Sequence, residues 1–374
     1  MNKFEIVVPT LFGIESVAAA EIRALGYEVL CVEDGRVTFA GDERAVCDAN
    51  IWLRTGERVL IKVGEFYAVT FDELFEKSKA LDWSLFITRH VAFPVKGFSV
   101  KSTLFSVSDC QSIIKKSIVE SLKKKYAADW FDEQGAVYQI VFSIIKDKVT
   151  LMIDTTGQGL HKRGYRPKAN AAPLSETVAA ALVSISYYNE NKILLDPFCG
   201  SGTIAIEAAM IAKNMPPGIN RSFAGEKFSQ LDKSIWTQAR EQAKAKIRAD
   251  VTPMIYACDI DPECIALTKQ NSASAGVGEY IRATVSDMRD VKKPGERGVI
   301  ITNPPYGMRL DTADGVADLY RDMGRVFAGF DNWLYYILTA EEDFERYFGR
   351  RADKKRKIYN GMIKCDYYQY FKKR

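Results

Sequence analysis

At 374 residues, 47% hydrophobic and 27% charged, the chain is long enough for two or three globular domains, and it holds no apolar run of the roughly 18 residues a membrane helix needs. Seven cysteines without a C-x-x-C pair and only two histidines, His90 and His161, argue against a disulfide framework, a structural zinc, a His-rich metal centre and a Ser-His-Asp triad. The net charge of +4 hides two basic zones, residues 77–126 with ten Lys/Arg against three acids and residues 350–374 with ten against two, so the rest of the chain is acidic and a polyanionic partner is expected.

The chain opens without the charged-then-apolar pattern of a signal peptide, because Glu5 stands where that peptide would be apolar; a cytoplasmic location is expected. Residues 4–8 read as a strand and 16–25 as a helix ended by Gly26. Residues 28–32 and 36–39 form a hairpin around Asp34-Gly35, and 45–54 are helical. These make one small α+β unit, residues 1–65. A second, residues 66–155, starts with a helix at 72–80 and a strand at 96–101. A long helix follows at 108–126. Its Ile113, Ile114, Ile118 and Leu122 fit one face, and its Lys115, Lys116, Lys123, Lys124 and Lys125 lie mostly away from it. A hairpin of 138–145 and 148–153 turns at Lys146-Asp147. Residues 156–172 read as a linker, rich in glycine, proline and basic residues.

From residue 173 to 374 the pattern alternates. Strands are expected at 193–195, 254–258, 283–285, 299–302 and 333–338, with helices at 203–213, 231–248, 262–275 and 316–328 between them. Short apolar strands alternating with helices imply a parallel sheet covered on both faces. Two final strands, 354–359 and 362–371, turn at Asn360-Gly361, so one antiparallel strand should close the sheet.

Residues 193–203 read as strand, glycine-rich turn, helix, with Asp196, Pro197, Phe198, Gly200, Gly202 and Thr203 in the turn. Glycine lets the backbone turn tightly and approach a ligand closely. Gly200-x-Gly202-x-x-Ala205 formally fits a dinucleotide fingerprint, but position 220, where an acid is wanted, is Asn. A Walker loop is excluded because no lysine follows Gly202. Asp196 suits a cationic sulfonium with an amino-acid ammonium better than a pyrophosphate. Asp259 ends the second strand of this half, where it could take ribose hydroxyls. Asp287 ends the third, where it could take an adenine amine. Either could instead cap a helix, and for Asp261 the cap is the better reading. Residues 214–250 are an insertion between Asp196 and Asp259.

Asn303-Pro304-Pro305-Tyr306-Gly307, after the fourth strand, is the most specific string in the chain. The lone pair of an exocyclic base amine is conjugated with the ring and poorly nucleophilic. The Asn303 carboxamide oxygen and the Pro304 carbonyl can both accept from that amine, and two prolines hold the acceptors in place. Tyr306 offers a stacking face for a flipped base. No general base is needed, which fits the scarcity of histidine.

At these residues the chain resembles the amino-methylating class I methyltransferases. With the segment His161-Lys-Arg-Gly-Tyr-Arg166 and the N-terminal architecture, it is similar to bacterial THUMP-domain RNA methyltransferases, specifically those that methylate guanine N2 of large-subunit (23S) ribosomal RNA. The resemblance implies an α/β protein: a Rossmann-like, seven-stranded class I methyltransferase domain preceded by ferredoxin-like and THUMP α+β units. It implies S-adenosylmethionine as cofactor, S-adenosylhomocysteine as product and RNA as partner, with no membrane, metal or obligate protein partner. Lys115, Lys116, Lys123, Lys124, Lys125, Arg163 and Arg166 are the expected RNA contacts. Few residues follow the catalytic loop, so recognition is expected from the N-terminal half, which suits shaped or single-stranded RNA. Adenine-N6 methylation of DNA or RNA, guanine-N2 methylation of tRNA and a catalytically silent RNA-binding scaffold are the rivals. An intact catalytic loop speaks against the scaffold.

Overall fold

Two seven-stranded sheets organise the chain. A computed structural model describes residues 3–127, 131, 134–166, 174–306 and 313–371. The elements of the N-terminal half are β1 (Phe4–Pro9), α1 (Glu15–Ala24), β2 (Glu28–Glu33), β3 (Arg36–Gly41), α2 (Glu43–Trp52), β4 (Leu60–Tyr67), α3 (Phe71–Lys79), β5 (Val95–Val100), α4 (Val107–Tyr126), β6 (Ile140–Ile145) and β7 (Lys148–Asp154). Their sheet runs β2-β3-β1-β4-β7-β6-β5. Among the described strands of this sheet, β5 and β6 pair in parallel and the other pairs are antiparallel.

Strand β4 was not expected. Its register slips between Lys62 and Gly64, which breaks the alternation that marks a strand in sequence. It lies between β1 and β7, so the two expected α+β units share one continuous sheet, and the boundary expected at residue 65 falls inside it. The β6–β7 turn matches the sequence reading: Lys146 and Asp147 both have positive φ, +51 and +64, as a two-residue hairpin loop requires. In α4, Cys110, Ile114, Ile118 and Leu122 are buried, whereas Ile113 lies at the edge of the buried stripe.

The C-terminal half contains α5 (Glu176–Ile185), β8 (Ile193–Asp196), α6 (Thr203–Ala212), α7 (Lys233–Ala245), β9 (Ile255–Asp259), α8 (Pro262–Ser274), β10 (Ile281–Val285), β11 (Gly298–Thr302), α9 (Ala313–Ala328), β12 (Trp333–Thr339), α10 (Phe344–Phe348), β13 (Lys354–Asn360) and β14 (Ile363–Tyr370). The sheet order is β10-β9-β8-β11-β12-β14-β13. Strands β8 to β12 are mutually parallel, and β14 runs antiparallel to both β12 and β13. The antiparallel strand therefore lies one position in from the edge, and β13 is the edge, because the final hairpin returns the chain inward. Helix α5 went unread because it is apolar nearly all round, with eight of its residues buried, and offers no amphipathic contrast. The chain order reverses between β8 and β11, which puts the ligand crevice of an open α/β sheet beyond their carboxyl ends.

The inserted segment joins the halves. Its Phe223, Phe228 and Trp236 are buried in the same core as the N-terminal sheet, and Phe228 stacks on Tyr138 with ring centroids 3.9 Å apart.

Candidate active site

After Asp196 the chain turns through Pro197, Phe198, Cys199, Gly200, Ser201 and Gly202 into α6, whose first residue is Thr203. Gly200 and Gly202 have φ of +53 and +82, where a side chain costs roughly 1–2 kcal/mol. Gly202 is also tight against α8: a Cβ there would lie 2.8 Å from the Thr268 methyl. Three side chains hold the turn. Thr268 Oγ1 donates to the Gly200 carbonyl at 2.9 Å and Asn271 Nδ2 to the Ser201 carbonyl at 3.0 Å. Asp259 Oδ2 accepts from the Gly200 N–H at 2.9 Å. Thr268 and Asn271 are buried and were missed in sequence. The available signal was polar residues on the same inner face as Ile265.

Asp196 is 1% exposed. Its Oδ1 accepts from Thr302 Oγ1 at 2.7 Å and from the Phe198 N–H at 3.2 Å. Burial pushes its carboxyl up to about 7, the two hydrogen bonds pull the other way, and the charge of Asp259 adds to the rise. A cation beside it would restore the ionised form.

Thr302 is the last residue of β11, so its bond to Asp196 ties the start of the cofactor loop to the residue before Asn303. Asn303 Oδ1 is buried and has no hydrogen-bond partner among the described residues. A buried acceptor left unpaired costs about 1–3 kcal/mol. Pro304 is buried beside it, and the Pro305 carbonyl accepts from Tyr320 Oη at 3.1 Å, which anchors the loop to α9. Tyr306 departs from expectation. It is 6% exposed and belongs to the methyltransferase-side core, with Asn360 Nδ2 and Cys365 Sγ donating to its Oη at 3.5 and 3.8 Å. Its ring is not an open stacking face in this arrangement. Gly307 lies outside the described residues.

Asp259 is the last residue of β9, as expected, and Asp287 lies two residues past the end of β10. Asp259 Oδ1 accepts from the Asp261 N–H at 3.1 Å. Asp261 caps α8, accepting from the Glu263 N–H at 2.8 Å. Asp287 is also a cap, for a short 3-10 turn, and its Oδ2 pairs with Arg289 at 2.9 Å. Between Asp259 and Asp261, Ile260 is 67% exposed at the carboxyl end of the sheet, where it could cover the flat face of a base. A bulky apolar residue directly after a strand-ending acid was the signal for it.

The expected RNA contacts divide. Lys116, Lys124 and Lys125 are exposed on α4, while Lys123 pairs with Glu120 at 3.0 Å. Lys115 turns inward, with Nζ 3.1 Å from the Phe93 carbonyl and 3.7 Å from its ring centroid. Arg163 and Arg166 need correction. Arg163 is 5% exposed; it donates to Glu207 of α6, to the Leu160 carbonyl and to the Arg54 carbonyl. Arg166 pairs with Glu176 of α5 at 2.9 Å and donates to Thr203 Oγ1 at 2.9 Å. The Arg163 guanidinium bridges the two halves, from the Arg54 carbonyl to Glu207, and that of Arg166 is held within the C-terminal half by Glu176, Thr203 and the Leu174 carbonyl.

Comparison with known proteins finds three family models along the chain. An RMKL-like methyltransferase domain matches residues 163–369, an RlmL ferredoxin-like domain residues 5–60, and a THUMP domain residues 68–154. A Bacillus subtilis (strain 168) protein named as an RNA methyltransferase, YpsC, is 47% identical over 375 residues, covering 100% of this chain and 97% of its own. Among solved structures, one from Listeria monocytogenes named as an N6-adenine-specific DNA methylase is 45% identical, with a TM-score of 0.94 over 100% of this chain and 97% of its own. SMU.472, named as a methyltransferase complexed with SAH, is 41% identical, with a TM-score of 0.95 over 100% of this chain and 99% of its own.

Proposed function

The chain belongs to the RMKL-like methyltransferase family, with RlmL ferredoxin-like and THUMP domains ahead of the catalytic one, and from that premise we propose that it methylates the exocyclic amine of an RNA base, guanine N2 of large-subunit ribosomal RNA. The cofactor is S-adenosylmethionine, which supplies a methyl group activated on a sulfonium sulfur. Asp196 would face its cationic portion and Asp259 its ribose. Asp287 and Ile260 would hold its adenine, and the start of α6, which no side chain caps, would take its carboxylate. The protein then has to present the amine. The Asn303 oxygen and the Pro304 carbonyl accept its two hydrogens and turn its lone pair toward the methyl. As the N–C bond formed, the C–S bond would break and release S-adenosylhomocysteine; the positive charge growing on the nitrogen would be stabilised by the same two dipoles until the surplus proton passed to solvent.

The observation that carries this reading is the buried oxygen of Asn303, unpaired among the described residues and joined through Thr302 and Asp196 to the cofactor loop. RNA is supported by the THUMP domain, by the exposed lysines of α4 and by the name of the Bacillus relative. The experiment is transfer of labelled methyl to unmodified ribosomal RNA, tRNA and duplex DNA, each digested to nucleosides and separated by mass. Label in N2-methylguanosine from ribosomal RNA is the expected result. The same nucleoside from tRNA alone keeps the chemistry and changes the substrate. Label in N6-methyladenine from DNA, in line with the name of the Listeria neighbour, overturns the RNA assignment.

A further inference from the structure

The final hairpin reaches past the sheet it belongs to. Thr339, the last residue of β12, pairs with Asp366, but β14 extends back to Ile363, which pairs with Asn360 across a turn of Gly361 and Met362. The tip thus stands about three residues, or roughly 10 Å, beyond the carboxyl end of β12, on the ligand side of the sheet. It is one side chain from the catalytic loop, because Asn360 Nδ2 lies 3.5 Å from Tyr306 Oη. The N-terminal half meets it there. The Tyr359 N–H donates to the Phe12 carbonyl at 3.3 Å, and the Phe12 and Tyr359 rings are 5.8 Å apart, edge to face.

The surface so formed is apolar and cationic together. Met362 is 97% exposed, Phe12 53% and Ile363 49%. Lys357 and Lys364 are exposed on the hairpin face that carries Tyr359, with Asp366 across from Lys357, and Ile363 lies on the other face. An apolar tip with exposed lysines next to it matches the chemistry of unstacked nucleotides, whose bases need flat apolar contact and whose phosphates need cations. A base brought to the Asn303 loop would approach the carboxyl end of the sheet, the rim on which this surface stands.

We propose that the β13–β14 tip and Phe12 form a platform that receives RNA nucleotides flanking the target base. The proposal rests on the RNA reading above and assigns the contact to residues that touch neither cofactor nor target amine. The test is methyl transfer and RNA binding by the full-length protein, on unmodified ribosomal RNA and tRNA transcripts. Met362→Ser, at a side chain already in solvent, and Phe12→Ala should each raise the KM for RNA at least about fivefold, the size of one lost base stack, with kcat and cofactor affinity unchanged. Their salt dependence should stay that of the wild type. Lys357→Ala and Lys364→Ala should instead each lower the slope of log affinity against log salt by about 0.7. If the wild type methylates RNA and all four variants match it, the platform is wrong and the RNA reading stands. If the wild type methylates no RNA, both fall. Phosphatidylserine vesicles that bind the wild type but not Met362→Ser, with RNA kinetics unchanged, would overturn the platform in favour of a lipid surface.

Discussion

In the cofactor loop nearly every bend of the backbone is held: Gly200 from both sides, by Thr268 and Asp259, and Ser201 by Asn271. One strand away, the catalytic loop is anchored at Pro305 by Tyr320 but leaves the Asn303 oxygen buried and, among the described residues, unpaired. A binding loop gains from rigidity, since order present beforehand is not lost again on binding. A catalytic loop gains from an acceptor that is satisfied only when the substrate amine arrives. The Thr302–Asp196 bond is where the two arrangements meet.

The largest expected effect separates the loops. Asn303→Ala should lower turnover by about 10²–10³-fold, as loss of one preorganised dipole does elsewhere, while calorimetry finds cofactor affinity unchanged. A parallel fall in cofactor affinity would mean the loops do not divide the work in this way. Thr302→Val should breach the division. It keeps the shape but leaves Asp196 Oδ1 short of a buried donor, a loss of about 1–3 kcal/mol. Cofactor affinity and turnover should drop together, and titrations that leave turnover untouched would place the coupling elsewhere. Asn271→Ala, measured the same way, should weaken cofactor binding about tenfold or less, the size of one neutral hydrogen bond, and leave saturated turnover near normal.

Both loops were legible in sequence because their chemistry sits in contiguous strings. The residues that hold them were not: Thr268, Asn271, Thr302 and Tyr320 are ordinary residues within helices or strands, and only the folded chain brings them to the loops. The basic residues show the same limit. Lys124, Lys125, Arg163 and Arg166 carry one charge each, and composition treats them alike. Yet the lysines stand in solvent on α4, while Arg163 is closed between the halves on Glu207 and backbone carbonyls and Arg166 is closed within the C-terminal half on Glu176. The distinction depends on Glu207 and Glu176, whose buried carboxylates lie on apolar helices; a charged residue in such a helix was the one available hint that a cation must be brought to it. Strand β4 was hidden for a different reason, since its bulge shifts the side-chain alternation midway.

The smallest effect concerns protons. Asp196 has its carboxyl raised to about 7, first by burial. Raised above its unfolded value, it holds a proton in the folded chain that the unfolded chain would release, so its contribution to stability declines as pH climbs from about 4 to 7. Cofactor binding runs the other way. A cation beside Asp196 favours the carboxylate, so affinity should increase as pH rises through 7, by no more than about tenfold between pH 6 and 8, with protons released on binding at pH 6. Thr302→Val removes a hydrogen bond that favours the ionised form, so the midpoint of that rise should move to higher pH. Asp196→Asn should flatten it. Calorimetry in buffers of differing ionisation enthalpy reads both the affinity and the proton count, and a wild-type affinity flat across this range would show that the cation lies elsewhere in the loop and that Asp196 serves only to fasten Thr302.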